Sequence, residues 1–118
     1  MTTNFQNGIE LLHNAVNEQL YHKLVQQVKK DFQLANISID FSLDLEPHDL
    51  ATTLREKIYV LIMEKFSDYL NLLYIVDVPE HSFKEIKATD VVEVAEEVSF
   101  LILKREWQKI WLKSKYAS

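Results

Sequence analysis

Leu50-Ala-Thr-Thr-Leu-Arg-Glu-Lys-Ile-Tyr-Val-Leu-Ile-Met-Glu-Lys-Phe-Ser-Asp-Tyr-Leu-Asn-Leu-Leu-Tyr-Ile-Val76 is the stretch on which the fold turns. Leu50, Leu54, Ile58, Leu61, Ile62, Tyr69, Leu73 and Val76 recur at helical spacing and form one stripe. Tyr59, Met63, Phe66, Leu70 and Tyr74 form a second stripe beside it, which leaves only Thr53, Lys57, Glu64, Asp68 and Asn71 as a mainly polar arc. A helix apolar over most of its circumference is expected to be a central, enclosed rod touching two or more neighbours. Glu46-Pro47 opens it, with proline in the tolerated first turn and Asp49 near the positive end of the helix dipole. Pro79 closes it, because the residue before a proline avoids the α region.

Little else in the chain interrupts a helix. One glycine and two prolines occur in 118 residues, and none lies between Gly8 and Pro47. A first helix is therefore expected from Asn7 or Gly8 to about Leu34, on Ile9, Leu12, Val16, Leu20, Leu24, Val28 and Phe32. Steps of four advance this stripe by roughly 40° each. The two ends of the helix are thus expected to pack on different neighbours, since no proline or glycine is present to kink it. A last helix is expected from Asp90, where Asp90-x-x-Glu93 reads as a capping box, to about Lys113. Its inner face is Val91, Val94, Ala95, Val98, Leu101 and Ile102, and a second face holds Phe100, Leu103, Trp107, Ile110 and Trp111. Asp77-x-x-Glu80 reads as a similar cap on a short helical turn reaching Ile86.

Between the first two helices the period changes. Ile37-Ser-Ile-Asp-Phe-Ser-Leu-Asp-Leu-Glu46 alternates apolar and polar residues without error. That is the pattern of a half-buried strand, paired with Tyr74–Val78 or with the same segment of a second copy. It also suits an extended connector laid across helices. The expected fold is all-α, a bundle of three long helices plus a short one, with one extended segment at about 37–45 and a single domain over residues 1–118.

Composition excludes several functions. An apolar share of 47% with 26% charged residues is that of a folded globular protein. The longest apolar run, Ile58–Met63, is far short of the roughly 20 residues a membrane span needs. Residues Met1–Gly8 show neither a basic nor an apolar region, so no secretory signal is expected. No cysteine is present, which removes disulfides, thiolate nucleophiles and cysteine-based metal sites, and a cytoplasmic location is the default expectation. The net charge of −5 is unevenly placed. Lys104, Arg105, Lys109, Lys113 and Lys115 face Glu106 alone in the last fifteen residues, a local net of +4 that leaves −9 for the remainder. Asp40, Asp44, Glu46 and Asp49 make the acidic extreme, and the two regions are expected to attract one another, within a molecule or between two.

Glu10-Leu-Leu-His13 has the spacing of a di-iron half-site, but no second Glu-x-x-His exists and the pair lies off the apolar face. His13, His22, His48 and His81 show no i, i+3 or i, i+4 pairing, so no metal site is expected. A single glycine excludes the usual nucleophile elbow and phosphate-cradling loops, and Glu93, Glu96 and Glu97 read as a solvated face. No catalytic residue, cofactor or metal ligand is expected. Two features remain. Arg105 shares a helix sector with Val98, Leu101 and Ile102 and needs a carboxylate partner, Asp68 or Asp77; it is either a core-edge ion pair or an anion-binding group. Trp107, Trp111 and Tyr116 alternate with Lys109 and other bases, a candidate interaction surface with the composition of a single-strand nucleic-acid platform or an interfacial membrane helix. Tryptophans at i, i+4 more usually fill a core or an oligomer interface. The acidic chain as a whole disfavours the nucleic-acid reading.

Leu72-Leu-Tyr-Ile-Val-Asp-Val-Pro-Glu80 and Ile102-Leu-Lys-Arg-Glu-Trp-Gln-Lys109, with the preceding alternating segment and Glu46-Pro47, resemble a family of short, mainly helical bacterial proteins without assigned function. The resemblance spans about three quarters of the chain. It implies a cytoplasmic bacterial origin and transfers no catalytic residue. Helices of 25 or more residues would be about 40 Å long, whereas a body of this size has a radius of gyration near 13–14 Å by the usual scaling. That mismatch, the strand edge and the aromatic last helix lead to the expectation of a homodimer. The function expected is a non-catalytic protein-interaction module. The alternative is a small-ligand protein or enzyme using Arg105 with Tyr59, Tyr69 and Tyr74.

Overall fold

The computed structural model describes residues 5–116. The reading of Met1–Gly8 as free of a secretory signal lies, for residues 1–4, outside the described residues. Six helices follow in order: α1 (Gly8–Asn17), α2 (Tyr21–Leu34), α3 (Pro47–Glu64), α4 (Phe66–Val76), α5 (Glu80–Phe83) and α6 (Val91–Tyr116). No strand occurs among the described residues. The fold is all-α, but its helices are shorter and more numerous than the sequence led us to expect.

The first long helix is two. Gln19 takes a left-handed conformation at φ 61°, the Gln19 amide donates to Val16 O, and the Leu20 amide donates to Ala15 O. This closure usually has glycine at the left-handed position and an apolar contact across it. The end of α2 repeats it, with Asn36 at φ 60° and amides of Asn36 and Ile37 donating to Gln33 O and Phe32 O. Asp77, at φ 68°, ends α4 in a related way, the Val78 amide donating to Leu73 O. Asp77 is thus a helix terminator and not the cap of the next turn, whose N-cap position is Pro79. Polar residues in the left-handed region do the work that the scarcity of glycine had seemed to rule out.

The Leu50–Val76 rod is also broken, at Lys65, where φ is −141° and ψ is 63°. Lys65 stands at i+4 from buried Leu61 and i−4 from buried Tyr69, so a continuous helix would carry an ammonium into the core. The break leaves Lys65 exposed. Of the first stripe Leu50, Leu54, Ile58, Leu61, Tyr69 and Val76 are buried and Ile62 and Leu73 half-buried, while Leu72, assigned to neither stripe, is buried too. The second stripe is not: Tyr59, Met63, Phe66, Leu70 and Tyr74 face solvent. The element enclosed by neighbours is α6, which packs on α1, α2, α3 and α4. Its buried positions Ala95, Val98, Ser99, Ile102, Leu103, Glu106, Trp107 and Ile110 follow one regular helical seam. Asp90 Oδ1 caps its start, accepting from the Val92 and Glu93 amides at 2.7 and 3.3 Å.

Residues 37–46 form the extended connector. Ile37 and Phe41 are buried and Ile39 and Leu45 half-buried, so the alternation is used, although Leu43 turns outward. Side chains of α2 take the place of a partner strand. Tyr21 Oη donates to Leu45 O, His22 Nδ1 lies 3.2 Å from Leu43 O, and Lys29 Nζ reaches Phe41 O at 3.4 Å. The body measures 40 × 27 × 24 Å with a radius of gyration of 13.5 Å. At 1.5 Å per residue α6 alone accounts for the long axis. With the other rods broken, the size mismatch that argued for a dimer disappears.

Candidate functional site

Trp107 is 1% exposed. It belongs to the core of the single chain and offers no surface to a partner. Its indole Nε1 is buried without a hydrogen-bond partner among the described residues. Trp111 is half-buried, and Lys115 Nζ lies 5.3 Å above its ring. Tyr116 is open to solvent. The four residues grouped by sequence as one surface are therefore separated by the structure, and two remain available, one of them covered by its own lysine.

Lys109 belongs to a third environment. Its Nζ lies 2.7 Å from Asp31 Oδ2 and 3.1 Å from Glu106 Oε1. Gln27 Nε2 donates to Asp31 Oδ1 at 3.2 Å, and Lys113 Nζ donates to Gln27 Oε1 at 3.3 Å. Asp31 and Glu106 are both buried, Glu106 completely. Burial pushes the Glu106 carboxyl up to about 9, helped by the adjacent Asp31 carboxyl and opposed by Lys109. The cluster joins α2 to α6 inside the protein. Sequence reading missed it, since Glu106 entered only the charge balance of the last fifteen residues. The available signal was its register with Ser99, Ile102, Leu103 and Ile110.

Arg105 pairs with Asp77 at 3.0 Å and donates from Nη1 to Gln108 Oε1 at 2.6 Å. It sits at the edge of the core, the Asp77 side chain being largely in water. Tyr69 is buried on α4, whereas Tyr59 and Tyr74 face outward, so no pocket gathers them around Arg105. The arginine that does line a cleft is Arg55. With Lys87, Ala51, Phe100 and Leu103 it borders an opening of about 770 Å³ between the start of α1, α3 and α6.

The acidic segment Asp40, Asp44, Glu46 and Asp49 takes part in none of the ion pairs among the described residues, and nor do Lys104, Lys113 and Lys115. The two ends of the charge distribution are not neutralised by each other through side-chain pairing. No cluster of three or more histidines or carboxylates able to hold a metal ion occurs among the described residues. No described helix is long and apolar enough to cross a membrane.

A run of exposed large apolar side chains lies on α3 and α4. Phe66, Leu70 and Tyr74 are spaced i, i+4, i+8 and are 53%, 52% and 81% exposed. Tyr59, Val60 and Met63 extend the exposed apolar side chains back along the last turns of α3. No known protein family, curated protein or solved structure matches the chain.

Proposed function

We propose that the chain is a non-catalytic interaction module that pairs with a second copy of itself through the outer face of α4 and the end of α3. The observation that carries this reading is the unbroken exposed row Phe66, Leu70 and Tyr74. With Tyr59, Val60 and Met63 it leaves roughly 600 Å² of apolar surface in water, taking about 200 Å² for each large side chain. That is the upper end of what a monomer ordinarily exposes. Two such faces brought together remove about 1,200 Å² from water, the threshold of specific association. A two-fold axis requires a surface complementary to itself, which an uncharged apolar row satisfies. An antiparallel crossing of two α4 helices also sets Lys65 of one copy at the end that carries Asp77 in the other.

The reading has a direct test. Light scattering behind size exclusion at about 100 μM is expected to give a dimer, and Leu70→Glu a monomer with unchanged helical circular dichroism, since interface charge strongly opposes burial. A wild-type monomer at that concentration overturns it. Cytoplasmic residence accompanies the proposal on the basis of the cysteine-free composition.

A further inference from the structure

The expectation of an arginine in a ligand pocket fixed on Arg105, which the fold pairs with Asp77. Arg55 differs in one respect: half-buried like Arg105, it forms neither an ion pair nor a side-chain hydrogen bond among the described residues. Ala51, one turn earlier on α3, lines the same cleft, and Phe100 and Leu103 of α6 supply an apolar wall. A cleft of about 770 Å³ falls in the range of small-molecule sites, which combine apolar walls with a few convergent polar groups. The chain's only glycine is at its edge. A Cβ on Gly8 would lie 3.2 Å from Leu103 Cδ1, so its absence lets α1 begin close against that wall.

The charge pattern narrows the ligand. A half-buried guanidinium with no partner among the described residues favours a planar anion that can accept two parallel N–H bonds. Lys87 adds a second cation at the rim. Glu93, Glu96 and Glu97 lie along the same opening and oppose a multiply charged anion such as a polyphosphate. One negative charge on an otherwise apolar body satisfies both constraints.

We propose that the cleft between the start of α1, α3 and α6 binds a small amphipathic carboxylate, its carboxyl group on Arg55 and its hydrocarbon body against Phe100 and Leu103. The site is independent of the α4 face and stands or falls separately from self-association.

Amide-resolved NMR of the full chain titrated with sodium octanoate tests it. Saturable shifts at Gly8, Ala51, Phe100 and Leu103 are expected. Arg55→Gln is expected to weaken octanoate by about tenfold or more, the scale of one charged hydrogen-bonded contact, and to leave 1-octanol within about twofold. Arg55→Lys, which keeps the charge but loses the planar fork, is expected to fall between. Shifts confined to Phe66 and Leu70, an absence of saturable shifts in the wild type, or equal octanoate affinity in Arg55→Gln would each overturn the proposal. The wild-type titration decides the matter on its own if a variant fails to fold.

Discussion

Lys109 Nζ lies 2.7 Å from Asp31 Oδ2, joining the last turn of α2 to the second half of α6. The same ammonium is 3.1 Å from Glu106 Oε1, although not aligned as a hydrogen bond. One cation thus faces two carboxyl groups that are both withdrawn from water. If both were ionised, the interior would hold an uncompensated negative charge, so a proton stays on the pair. Burial, with Asp31 beside it, raises the Glu106 carboxyl to about 9.

The sign of the pH dependence follows from linkage. Unfolded, the Glu106 carboxyl ionises near 4.5; folded, it holds its proton to about 9. Between these values the native chain binds a proton that the unfolded chain has released, so this group's contribution to stability declines as pH rises. Glu106→Gln abolishes the titration. Urea unfolding of both proteins at about pH 5 and about pH 8.5 is expected to show the variant gaining relative to wild type at the higher pH, by at most about 1.4 kcal/mol per unit. A difference that does not change with pH would refute the retained proton.

Lys109→Met keeps most of the stem and removes the charge. Asp31 and Glu106 then face one another with no cation, and a loss of about 3 kcal/mol near neutral pH is expected. Lys115→Met, whose ammonium lies over the Trp111 ring at the surface, is expected to cost about 0.5 kcal/mol. Thermal or denaturant unfolding of the pair checks the contrast. Equal effects would mean that Lys109 is not a buried bridge.

The two tryptophans should separate cleanly. Trp107→Ala is expected to destabilise the chain by about 3–5 kcal/mol through a core cavity. Trp111→Ala, at a half-buried position, is expected to leave a folded chain with a loss nearer about 1 kcal/mol. Circular dichroism melts of both variants read this directly.

Replacing the left-handed residue between α1 and α2 should strengthen the joint. Gln19→Gly relieves a side chain held at positive φ, and a gain of about 1 kcal/mol is expected. Asn36→Gly should gain less, since asparagine tolerates that conformation better. Loss of stability in Gln19→Gly would mean that the Gln19 side chain, and not its backbone alone, holds the turn.

The all-helical character, the opening of α3 at Glu46-Pro47 and the Asp90 cap were legible, because local propensity and capping chemistry act over a few residues. The helix ends at Gln19 and Asn36 were not. They are announced by a polar residue followed by an apolar one, Gln19-Leu20 and Asn36-Ile37, a far weaker mark than glycine. Lys65 and Glu106 each occupy a core register, and the fold treats them in opposite ways. It breaks the helix to expel the lysine, while the glutamate is kept inside with Lys109 and Asp31 beside it. A one-dimensional pattern states the conflict but does not contain the partner that resolves it. Residues 37–45 show the same limit, for the alternation was real but its acceptors were claimed by Tyr21 and Lys29.

The seam of α6 touches every other long helix, and α6 follows all of them in the chain. During synthesis, α1 to α4 therefore emerge from the ribosome with the partner for their inner faces still untranslated. Their shared interior cannot close until Ala95 through Ile110 has been released, so the nascent chain carries exposed apolar surface until that segment has emerged.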